Sequence, residues 1–176
     1  MESAKGYSLW LIPPDKNYQI FEKIINGFSK EYHTPKFIPH ITLLGDIDQE
    51  GKLSKRILIK KSKEIAKNIG EPLEITLKDV MGETDKWWKR VYIDVNVTKK
   101  LLEIYNIANN KFNMKIGIYR PHLSLLYSNS LEINKTQKLI RELKNEFDGM
   151  NFRTSRIGLV DTNGKVGNWK LIYSNS

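Results

Sequence analysis

The chain contains no cysteine, and this absence excludes several kinds of chemistry. Disulfide bridges, thiolate metal sites and cysteine nucleophiles are ruled out, and the composition suits a reducing compartment. Long hydrophobic runs are also missing. The longest apolar stretch near the start covers residues 9–12, whereas a membrane span needs about 20 residues. We therefore expect a cytoplasmic or nuclear protein that does not enter a membrane.

Linkers rich in Pro, Gly or Ser are absent too, so nothing divides the 176 residues into independent domains. Hydrophobic residues make up 40% of the chain and charged residues 28%, which is typical of a globular protein. A chain of this length can bury a core without covalent crosslinks. We predict one domain over residues 1–176, and a monomer.

Acidic residues are the scarcer charged class, with 20 against 29 basic residues and a net charge of +9. A basic surface favours anionic partners such as nucleotides or RNA. Many of the lysines lie between Lys52 and Lys67 on a predicted exposed helix, where a solvated surface is the simpler explanation. The charge therefore indicates a class of partner without indicating a binding site.

One stretch of the sequence occurs twice. Residues 37–45 read FIPHITLLG, and residues 119–127, which lie 82 positions later, read YRPHLSLLY. Chemical character changes at only two pairs of positions, Ile38 with Arg120 and Gly45 with Tyr127. We expect these two pairs to distinguish the two ends of a ligand. A repeat of this kind predicts a duplicated architecture.

The order of predicted elements supports duplication of most of the chain. Each unit contains a helix, a histidine strand, a second helix and a pair of strands, and residues 88–92 (WKRVY) have an echo in residues 169–173 (WKLIY). We predict an α+β fold with two lobes related by a pseudo-two-fold axis, in which two antiparallel-rich sheets flanked by helices enclose a central cleft. The first predicted helix begins at residue 15 and ends before the break at 34–36, and the other three cover residues 53–69, 98–112 and 133–147. The predicted strands cover residues 7–12, 39–44, 73–80, 88–97, 152–160 and 169–173, and a second histidine strand lies near residue 122.

The repeated motif places a histidine and a hydroxyl on the same face of each strand. Residues i and i+2 of a strand point to the same side, so His40 lies with Thr42 and His122 lies with Ser124. Two imidazoles and two hydroxyls in one pocket suit attack of water at phosphorus. One neutral histidine takes a proton from water, and the other, protonated, gives one to the leaving oxygen. The hydroxyls can bind the phosphate oxygens.

Histidines in this pattern have two other possible roles, structural and metal-binding. A single His-x-Thr in a strand is more often structural, but here two copies use two of only three histidines; His33 has no counterpart and is predicted to be incidental. A metal site would need more ligands, and Asp46 and Asp48 are not repeated after the second motif. We therefore predict no metal and no other cofactor, and the pattern leaves open which histidine is the base.

The paired motifs at residues 40–42 and 122–124 resemble those of the two-histidine (2H) phosphoesterases. Residues 7–10, 37–40, 121–127 and 152–162 are similar to the cyclic phosphodiesterases of plant and yeast type, and the resemblance spans nearly the whole chain. It implies a bilobal fold with its site in the central cleft and no required metal. It implies hydrolysis of ADP-ribose 1'',2''-cyclic phosphate and of nucleoside 2',3'-cyclic phosphates. It also implies a phosphate or water contact for Tyr127.

Further substrate contacts are predicted from residue type. An exposed aromatic ring near the cleft would contribute about 1–3 kcal/mol by stacking on a base. Among the candidates Trp10, Phe37, Trp87, Trp88 and Tyr119, we favour Trp10 and Tyr119, and we predict that Trp169 is structural. A second phosphate has three candidate partners in Arg120, Arg153 and Arg156.

Two alternative functions fit the same sequence less well. A 2H hydrolase of 2',5'-linked or cyclic oligonucleotides, or of RNA ends, would need an open basic groove rather than a pocket for one nucleotide. An RNA-binding module without catalysis would not need both histidines. Some plant members of the cyclic phosphodiesterase group that this sequence resembles contain cysteines. This chain has none, so redox regulation through cysteine does not apply.

Overall fold

A computed structural model describes residues 3–115 and 117–175, and within them the chain forms four α-helices and ten strands. The helices are α1 (Asp15–Tyr32), α2 (Lys55–Ile69), α3 (Lys99–Phe112) and α4 (Ile133–Leu143). The strands are β1 (Ser3–Ala4), β2 (Tyr7–Leu11), β3 (Ile41–Ile47), β4 (Leu73–Met81), β5 (Val91–Val95), β6 (His122–Leu126), β7 (Asn151–Thr154), β8 (Ile157–Asp161), β9 (Gly164–Lys165) and β10 (Lys170–Ser174). None of these helices is long and apolar enough to cross a membrane.

The predicted helices form for the expected local reasons. The hydroxyls of Ser54 and Thr98 accept hydrogen bonds from backbone N–H groups in the first turns of α2 and α3, which are otherwise unpaired. Helices α1 and α3 end at His33 and Asn113, whose left-handed backbones stop the helical repeat. Helix α4 ends at Leu143, four residues before the predicted end.

The strands form one curled antiparallel sheet of eight, in the order β10-β8-β2-β3-β6-β5-β4-β7. Its two halves meet only where β3 lies beside β6, and there a single residue pair, Ile41 with Leu123, joins them. The predicted α+β fold is confirmed, with the two predicted sheets appearing as two four-stranded halves. A separate small sheet pairs β1 with β9.

The boundary of the repeat differs from the prediction. Strand β5 lies beside β6 as β2 lies beside β3, with Trp10 opposite Thr42 and Tyr92 opposite Ser124. Tyr92 follows Trp10 by 82 positions, the same interval that separates the histidines. Strand β5 is therefore the counterpart of β2, and the predicted correspondence with β10, which lies at the sheet edge, is wrong.

The two repeats exchange strands. Strand β4 follows the first histidine motif but pairs with β5 in the second half, whereas β8 follows the second motif and pairs with β2 in the first half. The run predicted as one strand, residues 152–160, is accordingly two: β7 pairs with β4 and β8 with β2. Residues 88–89, the predicted start of the strand 88–97, belong instead to a 3₁₀ turn at Trp87–Lys89.

The sheet has a helical face and an open face. Alternate residues such as Leu9, Leu11 and Ile41 join the main hydrophobic core together with the buried faces of the helices, among them Leu58 and Leu101. The residues between them point to the other side of the sheet, as the pleat of a strand requires. The open face therefore carries the side chains of Trp10, Thr42 and Ser124 from strands close to the join between the halves.

Candidate active site

A cavity of about 620 Å³ lies on the open face of the sheet, where the two halves meet. The two motif histidines line it together, as predicted from the repeat. Its aromatic wall and its floor come from both repeats and from the C-terminal part of the chain. The lining includes Trp10, His40, Thr42, Gly45, Trp87, Trp88, His122, Tyr127 and Trp169.

His40 is held in one orientation by three contacts. Its Nδ1 lies 2.6 Å from the carbonyl oxygen of Ile38, its ring stacks on Trp10 at 3.6 Å, and its Nε2 lies 3.5 Å from the Tyr127 hydroxyl. Because a carbonyl can only accept, Nδ1 carries the proton and Nε2 presents its lone pair. The side chain is 4% exposed, and this burial lowers the pKa of His40 to about 3.

His122 repeats this backbone contact in a more polar setting. Its Nδ1 lies 3.2 Å from the carbonyl oxygen of Arg120, also two residues earlier, so Nε2 is again the free nitrogen. Burial is the main reason that the pKa of His122 is lowered, to about 4, and the nearby Lys89 acts in the same direction. The hydrogen bond to the Arg120 carbonyl, Glu83 and Asp94 act in the opposite direction. The two histidines are matched in tautomer and differ in electrostatic surroundings.

The two motif hydroxyls differ in availability. Thr42 lines the cavity, and its backbone carbonyl accepts a hydrogen bond from Tyr119. Ser124 is 3% exposed, and its hydroxyl donates to the carbonyl oxygen of Trp88 at 2.8 Å. Thr42 thus faces the space in which a phosphate would lie, whereas Ser124 would have to turn away from Trp88 to reach it.

Tyr127 places a hydroxyl beside His40. Its ring stacks on Phe37 at 3.9 Å and meets Trp87 edge-on at 5.4 Å, which fixes its position at the end of β6. Burial raises the pKa of Tyr127 above the ordinary value, so the phenol stays protonated and is a hydrogen-bond donor. At the equivalent position of the first repeat, Gly45 leaves the cavity open.

Trp10 and Tyr119, the two residues favoured for base stacking, pack against other side chains of the site and leave no ring face free for a base. Trp10 is 2% exposed, one face is covered by His40, and its indole N–H donates to Ser8. Tyr119 stacks on Tyr105 at 4.2 Å and donates its hydroxyl to Thr42. The prediction that these two rings stack on a base is therefore corrected, because their faces are used in packing.

Three other tryptophans line the cavity with accessible rings. Trp88 is 42% exposed, and the rings of Trp87 and Trp169 stand 6.3 Å apart above Tyr127. Trp169 packs against the buried cluster of Trp10 and Val160, in agreement with the structural role predicted for it, and it lines the cavity as well. It precedes β10 and follows a 3₁₀ turn at residues 166–168, which sequence periodicity does not reveal.

The predicted arginines do not enter the cavity. Arg120 contributes its backbone carbonyl to His122 while its side chain is exposed. Arg153 and Arg156 line a different depression, where Arg156 lies 3.3 Å from Asp15. Arg153 and Arg156 are therefore not placed to bind a second phosphate beside the histidines.

Sequence reasoning missed a polar cluster beside His122. The ring of Tyr92 meets His122 edge-on at 5.3 Å, and its hydroxyl lies 3.5 Å from a Glu83 carboxylate oxygen. Lys89 lies 3.5 Å from Glu83 and 4.9 Å from the centre of the Tyr92 ring. The interval of 82 residues from Trp10 would have identified Tyr92, whereas Glu83 and Lys89 belong to a loop without a counterpart.

Within residues 3–115 and 117–175, no group of three or more His, Asp or Glu side chains is placed to hold a metal ion. The polar side chains that line the cavity are two imidazoles, several hydroxyls, an amide, an ammonium and a carboxylate. The Nε2 atoms of the two imidazoles can accept protons, and the Thr42 hydroxyl and the protonated Tyr127 phenol can donate hydrogen bonds to an anion.

Comparisons with known proteins agree with this geometry. Residues 5–176 match the family model described as cyclic phosphodiesterase-like protein. A cyclic phosphodiesterase of Arabidopsis thaliana is 26% identical over 169 residues, which cover 92% of this chain and 89% of the plant protein. Crystal structures of E. coli LigT complexed with 3'-AMP and with ATP superpose with TM-scores of 0.61 and 0.60 at 14% and 15% identity; they cover 97% and 96% of this chain and 97% and 95% of the LigT chains.

Proposed function

Since the chain belongs to the family of cyclic phosphodiesterase-like proteins, within the 2H phosphoesterases, we propose that it hydrolyses ADP-ribose 1'',2''-cyclic phosphate and nucleoside 2',3'-cyclic phosphates. The broader activity, that of a phosphodiesterase, follows from the family. One observation carries the proposed two-histidine mechanism. Both motif histidines donate from Nδ1 to a carbonyl two residues earlier and turn Nε2 toward one cavity.

The surroundings of the histidines suggest different roles for them. His40 lies in an aromatic enclosure that keeps it neutral, so its Nε2 can take a proton from water. Burial lowers the pKa of His122 as well, to about 4, but two carboxylates act in the opposite direction. An incoming phosphate anion adds to their effect, so His122 is the easier of the two histidines to protonate. In this scheme water attacks phosphorus, the bond to one ribose oxygen breaks, His122 protonates that oxygen, and the product is a phosphomonoester.

The phosphate oxygens are held by hydroxyl groups in this proposal. Thr42 faces the cavity and the Tyr127 phenol lies beside His40, so both can donate to oxygens that gain charge during attack. Ser124 would take the same role after releasing the carbonyl of Trp88. The base or the ribose of the substrate lies against the rings of Trp87, Trp88 and Trp169.

The lining of the cavity favours a nucleotide over a long RNA. Its volume of about 620 Å³ lies within the usual range of about 300–1,000 Å³ for small-molecule sites. Its charged residues are Lys5 and Asp46, which do not form a basic groove. Hydrolysis of 2',5'-linked oligonucleotides or RNA ends is therefore the second candidate, ahead of RNA binding without catalysis. We propose that the protein acts as a monomer in the cytoplasm or nucleus.

A substrate panel tests the proposed activity. Purified protein in excess EDTA should open 2',3'-cyclic AMP and ADP-ribose 1'',2''-cyclic phosphate to monoesters at the same rate as without EDTA, because protein side chains supply the acid, base and donors. Product formation is followed by ³¹P NMR, which distinguishes a cyclic diester from a monoester. Loss of activity in EDTA would contradict the metal-independent scheme, and cleavage of 2',5'-oligoadenylate alone would favour the second candidate.

Substituting Tyr127 by phenylalanine tests the phenol. We expect kcat to fall by about 10²-fold with little change in KM, because the lost donor acts on charge that develops during attack. The ring still stacks on Phe37, so the thermal unfolding temperature should stay close to that of the wild type. Tyr105→Phe is a matched control outside the cavity. An unchanged kcat for Tyr127→Phe would remove the phenol from the mechanism.

A further inference from the structure

A second cavity of about 280 Å³ adjoins the first. The two share Trp10 and Trp169, so these two rings form the wall between them. The remaining walls come from α1, from the segment that leads to His40, and from residues 166–167. This volume lies just below the range of about 300–1,000 Å³ for complete ligand sites, which suits part of a ligand.

The second cavity combines an aromatic wall with polar groups that are free to bind. Tyr18 is hydrogen-bonded to Glu22, which lies one turn before Asn26 on the same face of α1. Within the described residues, the Asn26 amide and the Lys36 ammonium make no hydrogen bond or ion pair. The cavity therefore presents a ring face, an amide, a carboxylate and one cation.

These groups match the parts of a nucleoside phosphate. A base can stack on a tryptophan face, and its edge can exchange hydrogen bonds with an amide and a carboxylate, as bases do with Asn, Gln and Glu side chains. An ammonium group binds a phosphate as a point charge. Lys36 lies in the segment between α1 and His40, so the phosphate that joins a distal nucleoside to the ribose of the cyclic phosphate would meet it on the way between the cavities.

We propose that the second cavity binds a distal nucleoside, joined through a phosphate linkage to the ribose whose cyclic phosphate lies between His40 and His122. The proposal rests on the proposed function and deepens it, because a mononucleotide would leave this subsite empty. The base stacks on Trp169, its edge meets Asn26 and Glu22, and Lys36 binds the linking phosphate. ADP-ribose 1'',2''-cyclic phosphate and a dinucleotide with a 2',3'-cyclic phosphate end share this chemistry.

Two variants of the second cavity test this subsite. Asn26→Leu replaces the amide by a bulkier apolar group at a half-buried helical position, and Lys36→Ala removes the cation. The matched control is Lys30→Ala, an exposed lysine outside both cavities. For each protein, kcat/KM is measured with ADP-ribose 1'',2''-cyclic phosphate, with adenylyl-adenosine 2',3'-cyclic phosphate and with 2',3'-cyclic AMP.

We expect kcat/KM for one or both of the substrates that carry a distal nucleoside to fall about tenfold in Asn26→Leu and Lys36→Ala. The value for 2',3'-cyclic AMP should stay within twofold, and Lys30→Ala should match the wild type with all three. The longer substrate whose kcat/KM falls in the variants is the one whose distal nucleoside the second cavity binds. An equal loss with all three substrates, or no loss with either long one, would overturn the subsite.

A binding measurement separates failure of the subsite from failure of the proposed function. ADP-ribose carries the distal nucleoside without a cyclic phosphate, and its binding can be followed by tryptophan fluorescence. If the wild type hydrolyses no cyclic phosphate but Asn26→Leu weakens ADP-ribose binding about tenfold relative to Lys30→Ala, the function fails and the subsite is supported. Binding that is equally tight in Asn26→Leu and wild type would overturn the subsite whatever the activity.

Discussion

Replacing either His40 or His122 by alanine is expected to lower kcat for a 2',3'-cyclic nucleotide by about 10²–10⁴-fold, the range that one acid or base contributes. The double variant should lose little more than the more severe single variant, because proton removal and proton donation belong to one displacement step. Rates are measured by ³¹P NMR at saturating substrate, with circular dichroism to confirm that each variant is folded.

The chain offers a matched control in its third histidine. His33 is exposed at the end of α1 and lines neither cavity, so His33→Ala should retain full activity. Because His40 is buried against Trp10, His40→Asn is the safer variant; its amide N–H can still donate to the carbonyl of Ile38. Retention of activity in a folded His40→Asn or His122→Ala variant would contradict the two-histidine mechanism.

Lowering the pH should destabilise the wild type more than His40→Asn. The pKa of this imidazole is about 3 in the folded chain against an ordinary 6.5, so below pH 6.5 the unfolded chain binds a proton that the folded chain does not. The contribution of neutral His40 is complete above pH 6.5 and is lost as the pH falls toward 3. Between pH 6.5 and 5, the free energy of unfolding of the wild type should fall by about 2 kcal/mol more than that of the variant.

Urea denaturation at several pH values measures this difference directly. Carboxylates titrate in both proteins, so their effect largely cancels when the variant curve is subtracted from the wild-type curve. The plot of unfolding free energy against pH for His33→Ala should coincide with that of the wild type, because the His33 side chain is exposed. Parallel curves for wild type and His40→Asn would mean that His40 is protonated as easily in the folded chain as in the unfolded one.

The helices and the pairing of the histidines could be predicted because both depend on local sequence. Caps at Ser54 and Thr98 and the apolar period of each helix are readable within a few residues. The repeat brings His40 and His122 into one site by symmetry alone. Local information therefore sufficed for the elements and for the residues at the centre of the cavity.

Strand partners and ring exposure could not be predicted, since both depend on distant parts of the chain. Residues 88–92 and 169–173 look alike because both combine aromatic and β-branched residues, yet β5 is central and β10 is at an edge. Trp10 and Trp169 are equally plausible as core or cavity residues by type. Which of these roles each ring takes depends on tertiary structure, namely the stacking of His40 on Trp10 and the 3₁₀ turn before Trp169.

The surroundings of the two histidines show how a symmetric scaffold serves an asymmetric reaction. Around His40 the contacts are aromatic, from Trp10 and Tyr127, and contain no formal charge. Around His122 the counterpart of Trp10 is Tyr92, whose hydroxyl reaches toward Glu83. The difference between Trp10 and Tyr92 at equivalent positions thus places a carboxylate near His122 and not near His40. In the proposed mechanism, this difference sets the direction of proton transfer.

The exchange of β4 and β8 between the halves bears on how such a protein could arise. A single copy of the repeat cannot complete its own half of the sheet, because the strand after its second helix pairs with the other copy. The arrangement is that of a strand-swapped homodimer whose two chains have been fused, with one histidine from each former subunit. In such an ancestor association and catalysis would have been inseparable, and fusion would have freed the two sites to diverge into an acid and a base.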